Sequence, residues 1–251
     1  MKRVLITGAS GLIGQILTRS LADSYEVTGI DAKRHGPFQR GRGDMTRLRA
    51  IRPAFEGQDV VIDLAADGRR TSPWRRVYRN NIPATHNALE AARQADVPRV
   101  VFASSNHVTG VYEHDEPYAA IVAGRYAGLE PGATRLINSG DAIRPDSFYA
   151  VGKAFGEALG RHYSELHGLS VICLRLGTVN AIDRPTEPRH FANLLTHADL
   201  DRLVRCAIEA PPDLRFGVYA GVSNNTWRIW DIENARADLG YAPQDDAEAW
   251  R

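Results

Sequence analysis

Four groups of residues in this chain have the types and the spacing that chemistry needs. The run Thr7-Gly8-Ala9-Ser10-Gly11-Leu12-Ile13-Gly14 follows an apolar stretch and opens an amphipathic one. Glycines at 8, 11 and 14 let a backbone turn tightly and approach a pyrophosphate, which then sits on the positive end of a helix, here over Gly11–Ile13. Asp31 ends the next apolar run, about twenty residues on, where a carboxylate accepts hydrogen bonds from an adenosine ribose and repels a 2′-phosphate. That favours NAD over NADP, with Lys33 and Arg34 close enough to soften the preference. In Tyr149-Ala150-Val151-Gly152-Lys153, positions i and i+4 share a helix face, so an ammonium lies beside a phenol. With nine tyrosines and three lysines in the chain, that spacing is expected by chance about 0.1 times. A phenol ionises near pH 10; bringing it to neutrality takes about 4 kcal/mol, which a lysine and a bound nicotinamide can supply together. Last, Ser104-Ser105-Asn106-His107 follows the apolar Val100–Ala103, so its polar side chains stand where strands of a parallel sheet present groups to a ligand.

The elements that must hold these groups are legible in the periodicity. Strands are expected at Arg3–Thr7, Glu26–Ile30, Val60–Leu64, Arg99–Ala103, Ser170–Arg175 and Phe216–Ala220. Helices are expected at Leu12–Asp23, Thr46–Arg52, Trp74–Gln94, Phe148–His167, Asp199–Glu209 and Ile232–Leu239. Strands alternating with helices, and reading as nearly continuous apolar runs, give an α/β fold. The expected form is a Rossmann-type, doubly wound parallel sheet in a single domain over 1–251, with a small substrate-binding cap mainly from 178–251. A Gly- and Arg-rich loop follows the second strand, and the irregular Asn106–Ser147 stretch is expected as a lid or insertion.

Bulk properties narrow the class. A 43% hydrophobic, 24% charged chain with net charge +1 offers no electrostatic case for nucleic acid or an anionic membrane. No apolar run is long enough to span a bilayer. Two cysteines, Cys173 and Cys206, make no disulfide framework, and with no leader-like start the chain reads as cytoplasmic. No metal site is assigned. Trp227 and Trp230 are expected to pack the cap.

Taken together, these motifs resemble the short-chain dehydrogenase/reductase superfamily, in its extended branch, over nearly the whole chain. The resemblance implies NAD as cofactor, Tyr149 as base, Lys153 as the residue that tunes it while binding the nicotinamide ribose, and Ser105 as the catalytic serine. It adds Asp44 and Met45 on the adenine side, Leu64, Ala65 and Ala66 under the cofactor, and Asn81 on the following helix. More closely, Phe102–His107, Lys153–Glu157 and Tyr219–Asn225 resemble the bacterial uronate dehydrogenases and the archaeal NAD-dependent glucose-6-phosphate dehydrogenases, which oxidise an anomeric carbon to a lactone. On that likeness Ser105, Asn106, His107, Thr178 and Arg189 line the sugar site. The 107–148 segment is longer than in uronate dehydrogenases, and Ala65–Arg70 is more like the glucose-6-phosphate enzymes. Arg69 is therefore a candidate bidentate grip on a phosphate or carboxylate, as readily as a solvated surface arginine.

The activity so implied is NAD-dependent oxidation of a sugar acid or sugar phosphate by a homodimer, pairing through the helices around Trp74–Gln94 and Phe148–His167. The alternatives are a nucleotide-sugar epimerase or dehydratase, which needs a larger C-terminal lobe, and a non-catalytic NAD-binding sensor or scaffold, which has no use for tyrosine, lysine and serine together.

Overall fold

Strand β1 (Arg3–Thr7) buries every residue after its first, as a strand covered on both faces must. It is central in the computed structural model, which describes residues 1–32 and 39–251; Lys33 and Arg34 lie outside the described residues. The other strands are β2 (Glu26–Asp31), β3 (Gln39–Arg42), β4 (Val60–Asp63), β5 (Arg99–Ser105), β6 (Ser170–Leu176) and β7 (Phe216–Gly221). They form one sheet in the order β3-β2-β1-β4-β5-β6-β7. The β1–β2, β1–β4, β2–β3 and β4–β5 pairs are parallel, with Ile6 opposite Gly29 on one side and Ile62 on the other. The chain winds outward from β1 to β3, then returns to β4 on the opposite side. That reversal is the switch point at which a doubly wound sheet opens a crevice.

Helix α1 (Leu12–Ser20) ends in a 3-10 turn over Leu21–Asp23, and α2 (Leu48–Phe55) follows β3. The long helix expected over Trp74–Gln94 is three pieces: α3 (Trp74–Arg76), a π-turn (Val77–Asn81) and α4 (Ile82–Gln94). The widened turn ends two residues before Pro83, which has no N–H to continue an i→i−4 ladder. Among the rest, α5 (Tyr118–Val122) is short, α6 (Phe148–His167) has the expected bounds, and α7 (His190–Asn193), α8 (His197–Glu209) and α9 (Glu233–Leu239) follow. No helix among the described residues is long and apolar enough to cross a membrane.

Ser147 caps α6, accepting from the Ala150 N–H at 3.2 Å, and Gly168 closes it at φ +70°. Gly152, Gly156 and Gly160 lie one turn apart on its buried face. A Cβ at Gly156 would stand 2.3 Å from the Phe102 ring, and one at Gly160 2.8 Å from Val171. The stripe lets the α6 backbone sit directly against β5 and β6.

The chain divides into two compact units. The first comprises Met1–Ser104, Ser147–Cys173 and Pro211–Gly217; the second comprises Ser105–Asp146, Leu174–Ala210 and Val218–Arg251. The first is cored by Val4, Leu5, Ile6, Leu17, Val61, Ile62 and Val100, each about 1% exposed or less. The second has its own apolar cluster of Tyr118, Ile121, Ile137, Ala192, Ile229 and Trp230, with Trp227 packed against it. The irregular segment after β5 is a structural part of that second unit. It starts as a 3-10 run (Asn106–His114), is clasped by Val111 N–H to Arg144 O (3.0 Å) and Arg144 N–H to Val108 O (2.9 Å), and receives the Trp230 indole N–H on Thr109 Oγ1 at 3.0 Å.

Candidate active site

The glycine loop of the first unit is built as dinucleotide chemistry requires. Gly8 holds φ +67°, and a Cβ at Gly14 would stand 2.5 Å from the Gly8 carbonyl oxygen and 2.7 Å from Ala9 Cα. Only glycine lets α1 start this close to the end of β1. The helix has no side-chain cap and no acidic residue in its first turn, so its N–H groups and positive dipole are left for an anion. Asp31 stands beside this loop, its Oδ2 accepting from the Ser10 N–H at 3.2 Å. Across the switch point, the Thr7 hydroxyl accepts from Leu64 and Ala65 N–H, both at 3.2 Å, which fixes the chain following β4.

These parts enclose a cleft of about 660 Å³, within the range of small-molecule sites. Gly8, Gly11, Asp31, Asp44, Met45, Leu64, Ala65, Ala66 and Asn81 line it, so nine of the residues expected at a dinucleotide are brought together. Leu12, Ile13 and Gly14 are not on its wall; they form the first turn of α1 behind Gly11. Asp44 accepts from the Thr46 hydroxyl (2.7 Å) and N–H (3.0 Å), bonds that hold its carboxyl below the usual range. Asn81 clasps Asp67, accepting from its N–H at 2.9 Å and donating to its carbonyl at 3.2 Å. The uncapped helix, the pressed glycines and the Asp31 carboxylate fit an NAD molecule, whose pyrophosphate Gly11 and the start of α1 would take and whose ribose Asp31 would hold.

Also in the first unit, Tyr149 and Lys153 occupy the first turns of α6. Lys153 Nζ is 5.8 Å from the Tyr149 ring centroid, 4.8 Å from that of Phe102, and donates to the Ala103 carbonyl at 2.5 Å. Burial pushes this ammonium down to about 8, against the attraction of Asp63, which holds it up. Asp63 itself is pushed up to about 6 by burial, offset in part by the Thr7 hydroxyl donating to its Oδ1 at 2.6 Å. Beside them the Ser104 hydroxyl donates to buried Glu157 at 2.6 Å.

The second unit gathers Ser105, Asn106, Thr178 and Arg189. The Ser105 hydroxyl accepts from the His107 N–H (3.3 Å) and donates to Asn106 Oδ1 (3.4 Å). His107 Nδ1 lies 2.6 Å from Asp146 Oδ2. Arg189 Nε and Nη2 donate to Glu113 at 2.5 and 2.6 Å, and Nη1 donates to Thr178 Oγ1 at 3.4 Å. Asn193, in the amide orientation that satisfies both its ends, accepts from Arg189 Nη2 at 3.1 Å and from Asn106 Nδ2 at 3.2 Å. Arg69 belongs to the first unit. Its Nε and Nη2 fork onto Asp67 at 3.0 and 2.9 Å, and with Arg76 this holds the Asp67 carboxyl down to about 2.

Residues 4–204 match the NAD dependent epimerase/dehydratase family. The chain belongs to that family. It is an NAD-dependent enzyme of the short-chain dehydrogenase/reductase type. It is 34% identical to an NAD-dependent glucose-6-phosphate dehydrogenase of Haloferax volcanii, over 97% of this chain and 94% of that one. It is 35% identical to an L-arabinose 1-dehydrogenase (NAD(P)(+)) of the same organism, over 98% of each. Among solved structures it is similar to a mutant uronate dehydrogenase from Agrobacterium tumefaciens complexed with NAD, at TM-score 0.83 and 30% identity, covering 100% of this chain and 88% of that one.

For a member of the epimerase/dehydratase family, the residues that sequence reasoning missed are the acidic partners. Glu113 and Asp146 meet Arg189 and His107 from 76 and 39 residues away, and Asp63 acts on Lys153 through its charge from another element. No local spacing announces such pairs. The family's glycine loop and Tyr-x-x-x-Lys helix are local, and they were legible.

Proposed function

We propose that the protein oxidises the anomeric hydroxyl of a free monosaccharide to the corresponding lactone, with Tyr149 as general base. The observation that carries this reading is the buried Lys153 ammonium beside Tyr149 on α6, 5.8 Å from the ring. The relatives support it, being named as dehydrogenases of glucose 6-phosphate, L-arabinose and uronates.

NAD, when bound, supplies the hydride acceptor. The chain's own residues do the rest. Asp31 accepts from a ribose hydroxyl, and the glycine loop and α1 take the pyrophosphate. Lys153 holds the nicotinamide ribose and, as a cation, stabilises the Tyr149 phenolate. Ser105 and Asn106 orient the sugar, and Tyr149 takes the proton of the anomeric hydroxyl as hydride leaves the same carbon. Cytoplasm, with its NAD and its reducing conditions, is the compartment this reading requires, and a second copy of the chain is its proposed partner.

The test is absorbance at 340 nm with NAD and a panel of aldoses, uronates and sugar phosphates. At least one sugar is expected to reduce NAD. Tyr149→Phe is expected to lower kcat by about 10²–10⁴-fold, the usual contribution of a positioned base, while NAD binding measured by calorimetry is kept. Wild-type turnover in that variant removes Tyr149 from the mechanism.

A further inference from the structure

We propose that Glu113 is a specificity-determining residue that sets the sugar site for an uncharged monosaccharide and against uronates and sugar phosphates. The inference deepens the sugar-dehydrogenase reading above and rests on it.

A guanidinium has five N–H donors in a fixed fork, no acceptor, and a permanent charge. In Arg189 all five have acceptors. Nε and Nη2 each donate to a Glu113 oxygen, at 2.5 and 2.6 Å. The second Nη2 hydrogen points to Asn193 Oδ1 at 3.1 Å, and Nη1 serves the same oxygen and Thr178 Oγ1. The fork that would take a substrate carboxylate or phosphate bidentately is therefore filled by a carboxylate of the chain itself. A second anion would meet a neutral pair, with Glu113 repelling it. The pair is largely sheltered, with side chains 21% and 11% exposed, so solvent screens that repulsion poorly.

Glu113 is held where it is. It lies in the 3-10 run Asn106–His114, pinned through Val111 N–H to Arg144 O, and the Arg144 guanidinium lies 4.5 Å over the ring of neighbouring Tyr112. The other side chains that could face an anion have acidic partners too: Asp146 on His107 and Asp67 on Arg69. What the site retains is suited to hydroxyl groups. A carboxylate has about four lone-pair positions, and two on Glu113 remain after Arg189 to accept from sugar O–H groups, with Thr178 joined to the pair through Arg189 Nη1.

The test compares kcat/KM, read as NADH formation, for L-arabinose, D-xylose, D-galactose and D-glucose against D-galacturonate, D-glucuronate and glucose 6-phosphate. In the wild type, the best neutral sugar is expected to exceed every anionic one at least tenfold. Glu113→Gln keeps the shape but leaves Arg189 with a net charge, and is expected to reduce that ratio tenfold or more, chiefly through lower KM for anionic sugars. Glu113→Asp retains the charge and is expected to keep the neutral preference. A smaller wild-type ratio, or an unchanged ratio in a folded Glu113→Gln enzyme, overturns the assignment of Glu113. Silence with all seven sugars in a protein that still binds NAD is a different failure: it removes the dehydrogenase reading itself.

Discussion

At the scale of single residues, the chemistry turns on a buried ammonium that burial alone would discharge. Lys153 is pushed down to about 8 by burial, and Asp63 is the largest of the charges that oppose the shift, with Cys173 and Glu157 behind it. Replacing it as Asp63→Asn keeps an acceptor for the Thr7 hydroxyl but removes the countercharge. The Lys153 pKa should then fall by about one unit, the low end of what one opposite charge contributes. Because the Tyr149 phenolate needs that cation, the alkaline limb of the kcat/KM profile is expected to move to lower pH by the same amount; an unmoved limb would show that Asp63 does not act through Lys153. Stability follows a separate sign. The Asp63 pKa is raised from 3.8 to about 6 on folding, so its contribution is full below 3.8 and lost as pH rises through 6. Wild-type Tm should accordingly fall relative to Asp63→Asn across that window. The Tyr149–Lys153 pair was legible because helical spacing is local, whereas the partnership of Asp63 with Lys153 exists only once β4, β5 and α6 are packed.

At the scale of elements, the position of that lysine depends on how closely α6 lies on the sheet. Glycine in a helix interior ordinarily costs about 1 kcal/mol relative to alanine, so an exposed Gly→Ala change should stabilise. Gly156 is the opposite case, since its added Cβ would stand 2.3 Å from Phe102 Cζ, in the ring over which Lys153 Nζ lies. Overpacking of this kind costs about 1–3 kcal/mol and outweighs the propensity gain. Gly156→Ala is expected to lower Tm by several degrees and kcat at least tenfold. Gly152→Ala, whose nearest contact is Val77 Cγ1 at 3.0 Å, should be milder on both measures. Equal effects at the two positions would mean that close approach to β5 is not what places Lys153. Element by element, apolar periodicity located α6, β1 and α9 to within a residue, because their burial is regular. It did not find β3, Gln-Arg-Gly-Arg, whose polar sequence has no alternation and which stands at the end of the strand order beside β2. Nor could it foresee the π-turn before Pro83, which a helical pattern passes straight through.

At the scale of the molecule, a parallel sheet with crossover helices follows from the alternation of strands and helices, while the make-up of the second unit does not. Its core joins Tyr118 and Ile137 to Trp230 and Ile229, and segments so far apart in sequence leave no periodic trace. The proposed pairing of two copies belongs to this scale as well. Trp74, Tyr78 and Phe148 are 45%, 59% and 54% exposed and lie together, with Trp74 5.7 Å from Tyr78 and 5.9 Å from Phe148, ring centroid to ring centroid. Clustered aromatic side chains in water are the usual centre of a protein interface, where a few such residues carry most of the affinity. They sit on α3, the π-turn and the start of α6, so a second copy pairing there would also brace the helix that carries Tyr149. Light scattering on a sizing column is expected to give twice the chain mass for the wild type and the single-chain mass for a Trp74→Glu, Tyr78→Glu double variant. Tm should fall with dilution in the wild type alone, since association stabilises by mass action. A wild type that elutes as a single chain at all concentrations would leave these aromatics without a partner copy, and the stability of α6 would then rest on the contacts within one chain.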